Sequence, residues 1–145
     1  MTRLRMLLVD DEPIARRVMR EELNELDLVE VIGEAENGVQ ALDLICRLKP
    51  DVVFLDLRMP EMSGFEVIRK LDRLERPPAI VIVTACDEDL RALGAVGVKY
   101  LLKPVSKQQL ERCVNHIQEL GSDQRIANFW QLRKIALMRA RGAPE

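Results

Sequence analysis

The stretch Asp51-Val52-Val53-Phe54-Leu55-Asp56 decides the fold of this chain. Its apolar middle has the length of a short buried strand and is rich in β-branched and aromatic side chains. The turn Leu57-Arg58-Met59-Pro60 follows directly. We therefore predict a buried strand over residues 51–55 whose carboxyl end presents Asp56 to solvent.

Other apolar runs end on polar or charged side chains in the same way. These runs, each with the residues that follow it, are 6–9 (Asp10, Asp11 and Glu12), 79–83 (Thr84) and 98–102 (Lys103). Open α/β sheets bind their ligands beyond the carboxyl ends of parallel strands. If the four strands are parallel neighbours, the sequence predicts a cluster of carboxylates, one hydroxyl and one ammonium group at a single sheet edge.

Strand-like and helix-like segments alternate along the chain, which predicts crossover units and a parallel sheet. We predict strands over residues 5–9, 29–34, 51–55, 79–83 and 98–102. Five helices should lie between and after them. The first is opened by Pro13 and has Ile14, Val18 and Leu23 on its apolar face, and the second has Val39 and Ile45 on its apolar face and is closed by Pro50. The third lies around 65–71, the fourth is short and covers 87–95, and the fifth covers 106–120 with Ser106 as N-cap. The fold class is α/β.

Length and composition bound the class of protein. A chain of 145 residues, 48% hydrophobic and 32% charged, fits one domain with a full core. Three widely separated cysteines, Cys46, Cys86 and Cys113, have no metal-ligand spacing and predict free thiols in a reducing compartment. No signal peptide and no run of membrane-span length is visible. We expect a cytoplasmic protein that does not enter a membrane.

Charge is unevenly distributed. Residues 1–120 carry 17 Lys and Arg against 22 Asp and Glu, whereas residues 121–145 carry 5 against 2. An acidic body is a poor nucleic-acid surface, so we expect no direct nucleic-acid binding there. Residues 124–141 form a further helical stretch that contains Trp130, the only tryptophan. Two interpretations stay open: this helix docks on its own domain, or it offers an apolar side to a partner or a second copy.

The predicted cluster suits phosphoryl chemistry. Carboxylates hold Mg²⁺, a hard ion, and a metal together with Lys103 can spread the charge of a transferring phosphoryl group. Asp56 can then be the nucleophile, since carboxylates form acyl-phosphates. Each residue alone also fits a structural role: Asp10 and Asp11 as helix caps, Thr84 as a cap and Lys103 as a solvated lysine. Their joint occurrence at successive strand ends favours the functional interpretation.

Four ordered motifs give the chain a family resemblance. They are Leu8-Val9-Asp10-Asp11-Glu12-Pro13, Phe54-Leu55-Asp56-Leu57-Arg58-Met59-Pro60-Glu61-Met62-Ser63-Gly64, Val83-Thr84-Ala85 and Tyr100-Leu101-Leu102-Lys103-Pro104. Over roughly residues 4–120 the chain resembles the receiver domain of bacterial two-component response regulators, and the wording of the last motif looks most like receivers of LytTR-type regulators. The resemblance implies a flavodoxin-like, doubly wound, five-stranded parallel sheet flanked by five helices. We expect a receiver domain over 1–120 and a C-terminal helical tail or linker over 121–145.

The resemblance also implies a role for each residue of the cluster. Asp56 would accept a phosphoryl group from a histidine kinase or a phosphotransfer protein. Thr84 and Lys103 would hold the phosphoryl oxygens, and Tyr100 would turn inward when Thr84 moves. Mg²⁺ would be bound by Asp10, Asp11, Asp56 and the backbone carbonyl of Arg58. The Lys103–Pro104 peptide resembles the family's cis bond.

A switch of this kind implies partners. We expect a homodimer or an effector to bind through the fourth helix, the fifth strand, the fifth helix and the tail. The segment between Thr84 and Lys103 is shorter than in most receivers, and Lys99 stands where an acidic residue is common. Both departures bear on the expected dimer surface. We expect the chain to catalyse only its own phosphorylation and dephosphorylation.

Two alternatives come from other classes of protein. A haloacid dehalogenase-like phosphatase also uses a nucleophilic Asp, a Thr, a Lys and Mg²⁺, but it needs a second Asp two residues after the nucleophile, where this chain has Arg58. A pseudo-receiver would keep the fold as a binding module without phosphorylation. The complete cluster argues against it, and phosphorylation by a small acyl-phosphate donor discriminates between the two.

Overall fold

A computed structural model describes residues 3–85, 91 and 99–142. Its strands form one five-stranded parallel sheet in the order β2-β1-β3-β4-β5. The strands are β1 (Leu4–Val9), β2 (Val29–Ala35), β3 (Val52–Leu55), β4 (Ala79–Thr84) and β5 (Tyr100–Leu102). This order reverses direction between β1 and β3, so the ends of those two strands form the topological switch point of the sheet.

Five helices lie within the described residues. They are α1 (Pro13–Asn24), α2 (Gly38–Leu48), α3 (Gly64–Arg69), α4 (Lys107–Glu119) and α5 (Ser122–Gly142). Ser106 caps α4 as expected, in a capping box with Gln109. The helix predicted over 87–95 and the predicted thiol of Cys86 lie outside the described residues, apart from Arg91.

Both faces of the sheet are covered, which explains the continuous apolar runs of β1, β3 and β4. One face packs under α2, α3 and α5 and the other under α1 and α4. The first carries Leu7, Val9, Val53, Leu55, Ile80 and Ile82, and the second carries Met6, Leu8, Val52, Phe54, Val81 and Val83. No helix in the described parts of the chain is both long and apolar enough to cross a membrane.

The predicted apolar faces of the first two helices are wrong at their amino-terminal ends. Ile14 and Val39 are 78% and 67% exposed, and Val18 is also exposed, whereas Leu23 and Ile45 are buried. Both helices begin directly after a strand reaches its carboxyl end, so their first turns lie near the rim of the sheet. Periodicity identifies residues that share a helix face, but it does not show how far the sheet extends beneath that face.

The C-terminal helix α5 docks on its own domain. Phe129, Leu132 and Ala136 are fully buried and belong to the same core cluster as Phe65 and Ile80. The helix packs against α3 and β4, which agrees with the interpretation that it docks on its own domain. The division of the chain at residue 120 into a domain and a tail stays a prediction.

Polar contacts fix α5 on α3. The Nη1 of Arg69 donates to the carbonyl oxygen of Ala136 at 3.1 Å, and the Nη2 of Arg133 donates to the carbonyl oxygen of Arg69 at 2.9 Å. The guanidinium carbon of Arg139 lies 4.4 Å from the centre of the Phe65 ring, a cation–π distance. These contacts set the helix in one register on α3.

Two adjacent aromatic residues test whether α5 is part of the cooperative fold. Phe129→Ala should lower the free energy of unfolding by roughly 3–5 kcal/mol, because it empties a buried site. Trp130→Ala, at a side chain that is 38% exposed, should cost less than about 1 kcal/mol. Urea denaturation measures both. Equal, small losses would show that the helix is not part of the cooperative unit.

Candidate functional site

The predicted polar residues lie at the carboxyl ends of neighbouring strands. Asp10 follows β1, Asp56 follows β3, Thr84 ends β4 and Lys103 follows β5. Backbone hydrogen bonds continue into the site: the N–H of Asp56 donates to the Val9 carbonyl at 3.0 Å, and the N–H of Lys103 donates to the Thr84 carbonyl at 2.9 Å. The sheet therefore places all four residues at one edge, as the sequence predicted.

Lys103 brings the carboxylates together. Its Nζ lies 2.6 Å from Oδ2 of Asp10, 3.0 Å from Oδ2 of Asp56 and 3.6 Å from Oε1 of Glu12. Asp10 and Asp56 are 7% and 4% exposed, so both carboxylates have lost most of their water. A buried carboxylate needs a cation and hydrogen bonds, and Lys103 supplies the cation to both.

The second oxygen of each buried carboxylate accepts a backbone hydrogen bond from its own turn. The N–H of Glu12 donates to Oδ1 of Asp10 at 2.9 Å, and the N–H of Arg58 donates to Oδ1 of Asp56 at 3.0 Å. Such turns are common for Asp at strand ends. They leave the Oδ2 atoms facing Lys103 and thereby fix the orientation of both carboxylates.

Burial and hydrogen bonding change the pKa values of the Asp56 carboxyl and the Lys103 ammonium. Burial raises the pKa of the Asp56 carboxyl above its ordinary value, and the hydrogen bonds from Lys103 and from the N–H of Arg58 offset this only in part. Burial by itself lowers the pKa of the Lys103 ammonium, but its hydrogen bonds to Asp10 and Asp56 outweigh burial and raise that pKa well above its ordinary value. Asp56 is thus a buried carboxylate whose pKa is raised above its ordinary value, directly beside the Lys103 cation.

Four carboxylates are grouped closely enough to bind a metal. Asp10, Asp11, Glu12 and Asp56 each offer an oxygen, and these oxygens all lie within 4.8 Å of one another. Hard oxygen donors with partial solvent access fit Mg²⁺. One lysine cannot balance four negative charges, so a divalent cation suits this donor set. Glu12 was absent from the predicted ligands, although its position directly after Asp10 and Asp11 was a signal for it.

The two predicted switch residues lie in different surroundings. Thr84 is fully buried at the end of β4, whereas Tyr100 on β5 is 41% exposed. Arg58, whose backbone carbonyl was predicted to bind metal, follows Asp56 by two residues and has an exposed side chain. The Lys103–Pro104 peptide is cis, as expected. The roles of Thr84, Tyr100 and Arg58 stay predictions.

Gly64 brings α3 close to the turn that follows β3. A Cβ at this position would lie 2.6 Å from the backbone oxygen of Asp56, so any other residue would push α3 away. The N–H of Gly64 also donates to the carbonyl of Leu57 at 3.0 Å. The start of α3 is therefore in direct contact with the turn that carries Asp56.

Comparison with known proteins identifies the family. Residues 6–115 match the family described as the response regulator receiver domain. The chain belongs to this family. Receiver domains are phosphorylatable signalling switches, and the arrangement of the strand-end residues described above agrees with that.

Relatives with curated names support the same family. The chain is 39% identical over 125 residues to the transcriptional regulatory protein BtsR of Salmonella typhi, covering 86% of this chain and 52% of that protein. It is 46% identical over 112 residues to a response regulatory protein of Vibrio cholerae serotype O1, covering 77% and 47%. The chain spans about half the length of these curated relatives.

Solved receiver structures share the fold. The REC domain of AraT, a response regulator from Geobacillus stearothermophilus, has a TM-score of 0.70 at 36% identity and covers 81% of this chain and 95% of that one. A DNA-binding response regulator of the LuxR family from Staphylococcus aureus has a TM-score of 0.70 at 25% identity, covering 80% and 99%. The flavodoxin-like receiver fold is thus confirmed.

The position of Lys103 predicts a competition with Mg²⁺. Because the ammonium group lies on Asp10 and Asp56, a metal must share these oxygens with it. Lys103→Met should therefore tighten Mg²⁺ binding by about an order of magnitude while it slows phosphorylation. Calorimetry on the unphosphorylated receiver at mildly alkaline pH measures the affinity.

Lys107 supplies the matched control. It forms an exposed ion pair with Glu25, so Lys107→Met should leave Mg²⁺ affinity unchanged. Weaker Mg²⁺ binding in Lys103→Met alone would contradict the competition and would mean that the lysine organises the carboxylates for the ion.

Proposed function

We propose that this receiver is switched by phosphorylation of Asp56, with the phosphohistidine of a histidine kinase or phosphotransfer protein as donor. The observation that carries the proposal is the buried Asp56 carboxylate, which lies 3.0 Å from the Lys103 ammonium at the switch point of the sheet. A nucleophile, a fixed cation and neighbouring carboxylates form the set that phosphoryl transfer to a carboxylate requires.

In the proposed step, a carboxylate oxygen of Asp56 attacks the phosphorus of the donor. An O–P bond forms as the P–N bond of the phosphohistidine breaks, and the electron pair of that bond stays with the departing imidazole. Bound Mg²⁺, held by Asp10, Asp11, Asp56 and the backbone carbonyl of Arg58, would screen the charge of the incoming phosphoryl group. The product is an acyl-phosphate on Asp56, and the receiver acts on no substrate other than itself.

Phosphorylation changes the charge that Lys103 faces. The new group adds roughly 1.5 to 2 negative charges where a single carboxylate charge stood before. Lys103 can pair with a phosphoryl oxygen, and we propose that the Thr84 hydroxyl donates to another. Thr84 would move toward the site, and Tyr100 on the neighbouring strand would turn inward to fill the space.

Substitution of the acid residues tests this assignment. Asp56→Ala should abolish phosphoryl incorporation from a small acyl-phosphate donor, because the nucleophile is gone. Asp11→Ala should remove the Mg²⁺ dependence and most of the rate. Mass spectrometry or radiolabel counts the incorporated phosphoryl groups. Label retained by Asp56→Ala would contradict the assignment.

The strand that carries Asp56 also offers a control. Asp51 precedes β3 at the opposite end and accepts a hydrogen bond from the N–H of Arg5. Asp51→Asn should therefore leave incorporation intact. If the unaltered protein takes up no label from any donor, the pseudo-receiver alternative replaces the proposal. Release of phosphate from added phosphate esters would instead favour the phosphatase.

We further propose that α5 responds to phosphorylation and carries the signal out of the receiver. Helix α5 contacts α3, which starts against the Asp56 turn through Gly64, and β4, which ends in Thr84. Both elements beneath the helix therefore reach the phosphorylation site. A shift of the Asp56 turn would move α3, and the Arg69 and Arg133 hydrogen bonds would pass that shift to the helix.

The relatives suggest where the signal goes. They are named as transcriptional regulatory or response regulatory proteins, and the part of this chain that matches covers 52% and 47% of their lengths. We propose that a change in the position of α5 on α3 and β4 alters contacts with an effector or with a second copy of the receiver. The receiver itself has an acidic body and would make no nucleic-acid contact.

Trp130 reports on the seating of α5. Its ring packs edge to face on buried Phe129, with centroids 5.0 Å apart, so a rotation of the helix changes its surroundings. Beryllofluoride, a stable acyl-phosphate mimic, should shift Trp130 emission in the unaltered receiver and leave Asp56→Ala unchanged. Arg69→Gln should reduce the shift, because it removes the hydrogen bond to Ala136.

Occupancy must be read separately from the response. Fluorine NMR shows whether beryllofluoride has bound, and exposed Arg47→Gln, whose ion pair is with Asp43 on α2, is the matched control for Arg69→Gln. If beryllofluoride binds while both Trp130 emission and the solution mass stay the same, α5 is a passive appendage.

A further inference from the structure

A largely buried arginine on α1, Arg16, contacts the backbone of the acid pair. The Nη1 of Arg16 donates to the backbone carbonyl oxygen of Asp10 at 2.6 Å. The Arg16 side chain is only 15% exposed, although it lies on the second turn of a surface helix. A buried guanidinium must be matched by acceptors, so its position is defined by the groups around it.

Glu34 anchors that guanidinium on the sheet. The Nε of Arg16 donates to Oε1 of Glu34 at 3.3 Å, and the Nη1 of Arg20 pairs with Oε2 of the same carboxylate. Glu34 lies on β2, in register with Leu8 of β1. The three side chains therefore form a brace that runs from α1 to β2 and ends on the strand that carries Asp10.

The brace completes the restraint of Asp10. Its N–H donates to the Ala35 carbonyl at 3.1 Å, its Oδ1 accepts from the N–H of Glu12, and its Oδ2 pairs with Lys103. Arg16 binds the one polar atom of Asp10 that these contacts leave, the backbone carbonyl. That carbonyl belongs to the planar peptide that joins Asp10 to Asp11. Holding the carbonyl oxygen in place therefore also sets the position of the Asp11 backbone nitrogen.

We propose that Arg16 is a positioning residue for metal binding, held by Glu34, which orients the Asp10–Asp11 peptide so that both carboxylates face the same ion. This inference deepens the proposed function, since phosphoryl transfer to Asp56 depends on that metal. Arg16 touches neither the ion nor the phosphoryl group. It acts through the peptide plane, as outer-shell partners of metal ligands do.

The direction in which Mg²⁺ affinity changes distinguishes a positioning role of Arg16 from a simple effect of its charge. Arg16 is a cation near a cation site, so removing its charge alone would strengthen Mg²⁺ binding by relieving repulsion. Loss of the hydrogen bond to the Asp10 carbonyl would instead let the peptide rotate and would weaken binding. A measured direction of change therefore decides between the two.

The test is metal affinity in the unphosphorylated receiver. Arg16→Gln should weaken Mg²⁺ binding roughly tenfold by calorimetry, with Mn²⁺ and its EPR signal as a second probe. Arg17→Gln is the matched control, because Arg17 is the next residue of α1 and forms an exposed ion pair with Glu21. It should leave the affinity unchanged.

Further variants separate positioning from a loss of folding. Arg16→Lys keeps the positive charge but lacks the planar guanidinium that reaches two acceptors, so it should retain only part of the Mg²⁺ affinity. Glu34→Gln should weaken binding by less than Arg16→Gln, and the double variant should be no worse than Arg16→Gln alone, because both act through one hydrogen bond. Thermal unfolding in the presence of a chelator shows which variants stay folded. If Arg16→Gln does not fold, the Mg²⁺ affinity of Glu34→Gln is the test.

Two outcomes overturn this inference: unchanged or tighter Mg²⁺ binding in a folded Arg16→Gln, and fully additive losses for Arg16→Gln and Glu34→Gln. Neither depends on phosphorylation. Failure of the unaltered receiver to take up phosphoryl groups would overturn the proposed function. The Mg²⁺ affinities of the variants could still be compared. The two failures are therefore distinguishable.

Discussion

The site depends on a single ammonium group between two buried carboxylates. Lys103 lies 2.6 Å from Asp10 and 3.0 Å from Asp56, which would otherwise repel each other in a setting with little water. The parallel sheet makes this possible because it places the ends of β1 and β3 side by side at the switch point. The same negative charge that holds the lysine also suits a divalent cation.

The elements around this contact hold it rigid on one side and connect it to α5 on the other. Arg16 and Glu34 tie the acid pair to α1 and β2. On the opposite side, Gly64 lets α3 start against the Asp56 turn, and α3 carries α5. Under the proposed function, a braced acid pair and a helix linked to the Asp56 turn would let a local change of charge move a distant element.

Much of the site could be predicted because its residues end strands. Asp10, Asp56 and Lys103 each follow an apolar run, and parallel strands bring such positions to one edge. Arg16 and Glu34 carry no such signal: each is a charged residue on an amphipathic element, where a solvated side chain is the ordinary expectation. Ile14 shows the converse error, since its helical spacing indicated burial while the sheet beneath it ends.

The fold class, the order of the elements and the chemistry at the strand ends could all be predicted. Hydrophobic periodicity and the residue that ends each strand are local properties of the chain. Tertiary structure decided which pairs of these residues touch. The contact of Lys103 with two carboxylates, the brace on Asp10 and the seating of α5 on α3 join residues that are far apart in sequence. Such contacts depend on the strand order and on how each helix lies on the sheet, and no local pattern carries that information.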